Sequence, residues 1–146
     1  MSEQFQALQV DRQRACAAYP LVYMHDATIT LKKWLHFVGR QYRTTSGRSG
    51  LIAIRDCRGI VHALFSYRVA SDLRVRKRLC IGNLIVAHLP GSQIDEAIAA
   101  SAERVSAQLG CQTITIEQPF YPATGTPRRC PTAEALKRRY SRIILS

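Results

Sequence analysis

No run in the chain approaches the roughly 18 consecutive apolar residues that a membrane-spanning helix needs, and the first twenty, MSEQFQALQVDRQRACAAYP, are polar where a secretory signal would be apolar. No two of the five cysteines stand in a CxxC pair, which excludes zinc-ribbon and thioredoxin patterns. The four histidines form no HExxH or other paired spacing, so no metal is expected. There is no GxSxG, no GxxxxGK[ST], no internal repeat and no low-complexity tract. Acidic residues are scarce: ten, against 21 lysines and arginines.

What remains is 146 residues, 47% of them hydrophobic, with a net charge of +11. That length suits one domain, 1–146, with a real core. The reading is a soluble, cytoplasmic protein. Cys80 and Cys111 fall in apolar surroundings and read as small buried hydrophobes in a reducing compartment. The positive charge clusters twice. Arg68, Arg74, Arg76, Lys77 and Arg78 oppose Asp72 alone; Arg128, Arg129, Lys137, Arg138, Arg139 and Arg142 oppose Glu134 alone. Such runs are either solvated surface or a site for polyanions such as nucleic acid, an acidic partner or a phosphate-rich cofactor.

Phe5, Leu8, Arg12, Ala15 and Tyr19 share one side of a possible helix; Phe5 to Val10 fits a short strand equally well, and Pro20 is expected to interrupt either. Beyond Asp26, a capping type of residue, Ile29, Leu31, Trp34, Leu35, Val38 and Tyr42 recur at helical spacing, with Trp34 in the core, and the helix closes near Gly39 to Tyr42. Thr44 to Gly50 reads as a loop. The period then becomes two. Leu51 to Arg55, a turn at Asp56 to Gly59, and Ile60 to Val69 form a β-hairpin, with Val61, Ala63, Phe65, Tyr67 and Val69 on one face. His62, on the other, reads as an interior or edge histidine. Leu79 to Val86, apolar except for Gly82 and Asn83, suits a central strand covered on both sides.

Ile94, Ile98, Ala102, Val105 and Leu109 then mark a helix closed by Gly110, with Ser92 to Asp95 as a capping box. QTITIE (112–117) is a strand, 118–131 a Pro-rich loop, Thr132 to Tyr140 a short basic helix and Ile143 to Leu145 a last strand. Two strands joined by a helix across Leu79 to Glu117 predict a parallel, right-handed βαβ unit. A hairpin feeding that unit predicts an α+β fold: a mixed, mostly antiparallel sheet flanked by helices.

The hairpin GLIAIRDCRGIVHALFSYRV, the strand–turn–helix LCIGNLIVAHLPGSQIDEAIAASAERVSAQLG and the strand QTITIE together resemble the GCN5-related N-acetyltransferase superfamily over about residues 28–118. The resemblance implies an acyl-CoA N-acyltransferase fold and transfer of an acyl group from acetyl-CoA, or another acyl-CoA, to an amine on a small molecule or protein. It places Ile85, Val86 and Ala87 along the pantetheine arm and Gly91, Ser92, Gln93 and Ile94 at the diphosphate, where unpaired helix N-terminal amides attract anions. The loop PGSQID keeps only Gly91 of the family's glycine pattern, and Gln93 and Asp95 stand where small residues are expected.

Acyl transfer needs a base for the amine, donors for the thioester carbonyl and an acid for the leaving thiolate. Asn83 could hold a water, Glu117 or His88 could act as base, and Tyr121 or Tyr140 as acid. Each also has an ordinary structural reading: a strand end for Glu117, a loop role for His88, packing for both tyrosines. The alternative function is a non-enzymatic module on the same scaffold, binding nucleic acid or an acidic partner through Arg74, Arg76, Lys77, Arg78, Arg138 and Arg139. A homodimer joined through strand edges or helices is a third reading.

Overall fold

The computed structural model describes residues 5–43, 48–71, 73–74, 77–87, 93–123 and 130–141. In chain order these form β1 (Gln6–Gln9), α1 (Arg12–His25), α2 (Leu31–Arg43), β2 (Ser49–Arg55), β3 (Val61–Ala70), β4 (Arg78–Val86), α3 (Ile94–Leu109), β5 (Thr113–Ile116) and α4 (Pro131–Ser141). The five strands make one sheet in the order β1-β2-β3-β4-β5. The first three pairings are antiparallel and β4–β5 is parallel, across the α3 connection. This is the expected α+β arrangement. The expected strand at Ile143 to Leu145 lies outside the described residues.

Alternating side chains divide the core in two. Ile52, Ile54, Phe65, Leu79 and Ile81 meet Ile94, Ile98, Ala102 and Leu136 beneath α3 and α4. Leu51, Ala53, Leu64 and Ile85 meet Ala15, Ala18, Val22, Trp34 and Val38 beneath α1 and α2. The sheet is therefore covered on both faces, and Cys80 in β4 is buried as expected. Val61 packs with the second cluster rather than with Ala63 and Phe65, because a register shift at Ile54/Arg55 turns the start of β3 over.

The N-terminal end departs from expectation. Of the two readings of residues 5–19, the short strand within Phe5 to Val10 holds as β1, and a separate helix α1 follows it, its first turn capped by the Asp11 side chain accepting from the Arg14 amide. Pro20 does not break this helix. It removes the amide that would bond the Cys16 carbonyl, and Cys16 is exposed, so water can take up that carbonyl. Asp26 does not start α2 either. It ends α1, and the Thr30 hydroxyl caps α2 by accepting from the Lys33 amide at 3.1 Å. Gly39 lies within α2, which runs on to Arg43, beside the Tyr42 end of the expected close.

Candidate functional site

The middle of β4 carries the decisive irregularity. Asn83 adopts φ 53°, a left-handed conformation that asparagine tolerates better than other side chains. Here the register with β3 slips, Ser66 pairing with Gly82 while Leu64 pairs with Ile85. The Asn83 side-chain amide donates to Ser66 Oγ at 2.9 Å, and Ser66 donates to the Gly82 carbonyl at 3.1 Å. This network pins the bulge from within the sheet.

The bulge separates β4 from β5. The two pair from Arg78 to Ile81 against Thr113 to Ile116, flanked by a bond from the Gln112 amide to the Lys77 carbonyl and one from the Glu117 amide to the Ile81 carbonyl. Past the bulge β4 continues against β3 alone, with the Ala87 amide donating to the His62 carbonyl. Alternation turns the Val86 backbone toward the edge that β5 has left. The chain after β5 returns once, when the Phe120 amide donates to the Leu84 carbonyl at 3.2 Å.

Among the described residues the helix that follows β4 has no side-chain cap: Gln93 is its N-cap residue and makes no such bond. The expected capping box therefore fails on the Asp95 side, and its Ser92 lies outside the described residues. Asp95 instead accepts the Thr132 hydroxyl at 2.5 Å, and Glu96 accepts from Arg139 at 3.1 Å. Both carboxylates of the first turn of α3 are thus held by α4. The α3 amides keep their positive end, and each of the two acidic groups there has a partner on α4.

Of the residues proposed for an acyl-CoA, Ile85, Val86 and Ala87 lie at the end of β4 past the bulge, and Gln93 and Ile94 start α3. Gly91 and Ser92 lie outside the described residues, as does His88. Glu117 stands beside Gly82, where an added Cβ would lie 3.1 Å from its Oε1, and it is ion-paired with Arg68 at 2.5 Å. Tyr121 is 39% exposed in the segment just past Phe120. Tyr140 is elsewhere. It is 6% exposed in the core between α3 and α4, and its hydroxyl donates to Glu103 at 2.8 Å. Burial, then that bond, raises its pKa far above the ordinary phenol value. The structure thus brings Asn83 and Glu117 to the β4–β5 divergence, with Tyr121 in the adjoining segment, and leaves Tyr140 beneath the opposite face of the sheet.

On the α1–α2 face, the bulge opens into a cavity of about 320 Å³. Asn83 and Ile85 form its floor, Trp34 and Phe37 one wall, and Phe120 and Ala123 another. Asp26, 4% exposed, faces it from the end of α1. Asp26 Oδ1 accepts from the Thr28 amide and hydroxyl and Oδ2 from the Ala123 amide, tying the α1–α2 turn to the segment after β5. Sequence reading missed Asp26, Phe37 and Phe120 as site residues. The only local signal was the Asx-turn pattern Asp26-Ala27-Thr28.

Several cations of the basic runs have structural partners. Lys77 caps the C-terminus of α3 at the Leu109 carbonyl, and Arg139 joins Glu96 and Glu103. Arg76 lies outside the described residues. Among the described residues no helix is long and apolar enough to cross a membrane.

No family model and no curated protein matches the chain. Solved structures do. A glucosamine-6-phosphate N-acetyltransferase from Arabidopsis thaliana superposes with a TM-score of 0.63 at 13% identity, over 81% of this chain and 84% of that one. A ribosomal-protein-alanine N-acetyltransferase from Brucella melitensis biovar Abortus 2308 gives 0.65 at 10% identity, over 92% and 89%. An aminoglycoside N-acetyltransferase in complex with CoA gives 0.61 at 8% identity, over 88% and 98%. The fold is that of the GCN5-related N-acetyltransferases. At these identities the likeness speaks for the fold alone, and the chemistry has to be argued from the site.

Proposed function

We propose that the protein transfers an acyl group from acetyl-CoA, or another acyl-CoA, to an amine. The observation that carries the reading is the Asn83 bulge. It parts β4 from β5 beside the uncapped start of α3, so an extended chain and an anion are offered adjoining places. The Val86 backbone would bond the pantetheine amides, with Ile85 and Ala87 flanking it. Gly91, Ser92, Gln93 and Ile94 would present amides to the diphosphate.

When bound, acyl-CoA supplies a thioester whose carbonyl carbon the amine nitrogen attacks. Asn83 donates its side-chain N–H to Ser66, which leaves its Oδ1 to accept a hydrogen bond from the incoming amine. The proton released by the amine passes to water where β4 and β5 part, with Glu117 beside it as the base; His88, the other candidate base, lies outside the described residues. Tyr121 is the better-placed acid, because the Tyr140 hydroxyl is already bound to Glu103.

The test is thiol release. Incubated with acetyl-CoA and a panel of amines, the protein should liberate free coenzyme A in step with an acylated amine seen by mass spectrometry. A panel covering sugar, peptide, aromatic and aliphatic amines that yields neither product contradicts the reading.

A further inference from the structure

The cavity on the α1–α2 face differs in chemistry from a site for a sugar or a polycation. Its walls are apolar and aromatic. Trp34 commits its indole N–H to the Ala15 carbonyl at 2.7 Å and stacks near Phe37 at 6.0 Å between ring centroids, so it offers the cavity only ring surface. Phe120 is fixed on both sides of its peptide, its amide on Leu84 and its carbonyl on His25 at 2.6 Å. The polar groups facing the space are few: Asp26, Thr28, Asn83 and, from an exposed position, Lys33.

Asp26 is the unusual member. Its hydrogen-bond donors among the described residues, the Thr28 amide and hydroxyl and the Ala123 amide, are all neutral, and no ion pair joins it to a cation there. The Thr28 hydroxyl, then the Ala123 amide, hold its pKa below the ordinary carboxylate value, so it is anionic at neutral pH. His25 adjoins it in sequence and Lys33 lines the same cavity. A single negative charge set among aromatic walls attracts one ammonium group, and the walls reward an apolar body behind it. A volume of about 320 Å³ has room for a ligand the size of an arylalkylamine. Lys33 adds a like charge that disfavours any ligand with several cationic centres.

We infer that this cavity binds the acyl acceptor, and that the acceptor is a compact primary amine with one cationic centre and an aromatic or branched aliphatic body. The inference rests on the acyl-transfer reading for the word acceptor; the binding itself does not depend on it. Asn83 joins the two, since it lines the cavity and also forms the bulge that opens β4 from β5.

Trp34 is the only tryptophan in the chain and lines the cavity, so its fluorescence reports occupancy directly. Phenethylamine and isoamylamine, added without any acyl-CoA, should change its emission saturably with dissociation constants of roughly 1 mM or tighter. Spermidine, kanamycin and glucosamine 6-phosphate should not. Phe37→Ala removes one aromatic wall and should weaken phenethylamine about tenfold while acetyl-CoA affinity, followed by calorimetry, stays within twofold. If that variant does not fold, Lys33→Glu at an exposed position should admit spermidine. Apolar amines without effect on Trp34, or hydrophilic polyamines binding better, overturn the inference even in a protein that binds acetyl-CoA. Saturable apolar-amine binding in a protein that ignores acetyl-CoA upholds the cavity assignment and overturns the acyl-transfer reading instead.

Discussion

The Thr132 hydroxyl on α4 donates to the Asp95 carboxylate at the start of α3, 2.5 Å away. Thr132 is fully buried and Asp95 half-buried, so the pair is partly shielded from competing water. By sequence Asp95 threatens any anion bound at the α3 N-terminus; in the fold it faces another helix. Thr132→Val removes the donor and frees the carboxylate. Acetyl-CoA affinity should fall by about 1 kcal/mol, roughly fivefold. Adding Asp95→Asn to that variant should restore most of the loss. Calorimetric titration of both variants checks this; an unchanged affinity in Thr132→Val would mean that Asp95 does not bear on the anion site.

Asn83 is required for its backbone as well as its side chain. Asn83→Gly keeps φ 53° available and should cost only the side-chain bond to Ser66, about 1 kcal/mol, whereas Asn83→Val loses the same bond and should cost about 1–3 kcal/mol more through strain at that φ. Urea unfolding separates the two. The glycine variant also loses the Oδ1 acceptor, so its acetyl-CoA affinity should survive while turnover falls.

The two tyrosines should part company. Tyr140→Phe deletes a bond to Glu103 and should cost stability, on the order of 1 kcal/mol, with turnover per folded molecule unchanged. Tyr121→Phe should leave stability unchanged and lower kcat at least tenfold if its hydroxyl protonates the thiolate. Equal kcat in Tyr121→Phe and wild type would remove it from the chemistry.

Asp56, in the β2–β3 turn, accepts from His62 at 2.8 Å and from the Arg58 and Ile60 amides. The His62 bond, offset in part by burial, lowers its pKa from an ordinary 3.8 to about 2. A depressed carboxylate stabilises the fold fully above the unfolded-state value and loses that contribution as pH falls toward the folded one. The urea midpoint of wild type should therefore exceed that of Asp56→Asn by a constant amount above roughly pH 5, the gap closing as pH drops toward 2. A gap independent of pH would show that the carboxylate charge is irrelevant to the turn.

The sheet and its central βαβ unit were legible because period-two alternation in Ile60 to Val69 and the 3–4 spacing of Ile94 to Leu109 are strong, local signals. α1 was not. Its buried face, Ala15, Ala18, Leu21 and Val22, is small-residue rich, and Pro20 looked like a stop. The ends of the candidate site divided in the same way. Asn83 was visible as the polar residue of an apolar strand, and the edge around Val86 came from the family resemblance. The Asp26–Ala123 bond joins residues 97 apart, and Asp95–Thr132 joins residues 37 apart. Both depend on where loops return in space, which no local pattern encodes. Capping logic bound Asp95 to Ser92 and overlooked α4, because a side chain's tertiary partner can displace its local one.

The central claim, that the parted strands and the bare start of α3 receive an acyl-CoA, is tested most directly by calorimetric titration of the unmodified protein with acetyl-CoA. A saturable one-to-one isotherm with a dissociation constant of roughly 100 μM or tighter is expected, weakened by removal of the diphosphate portion in pantetheine analogues. No heat at millimolar acetyl-CoA, or an affinity indifferent to the diphosphate, would contradict it.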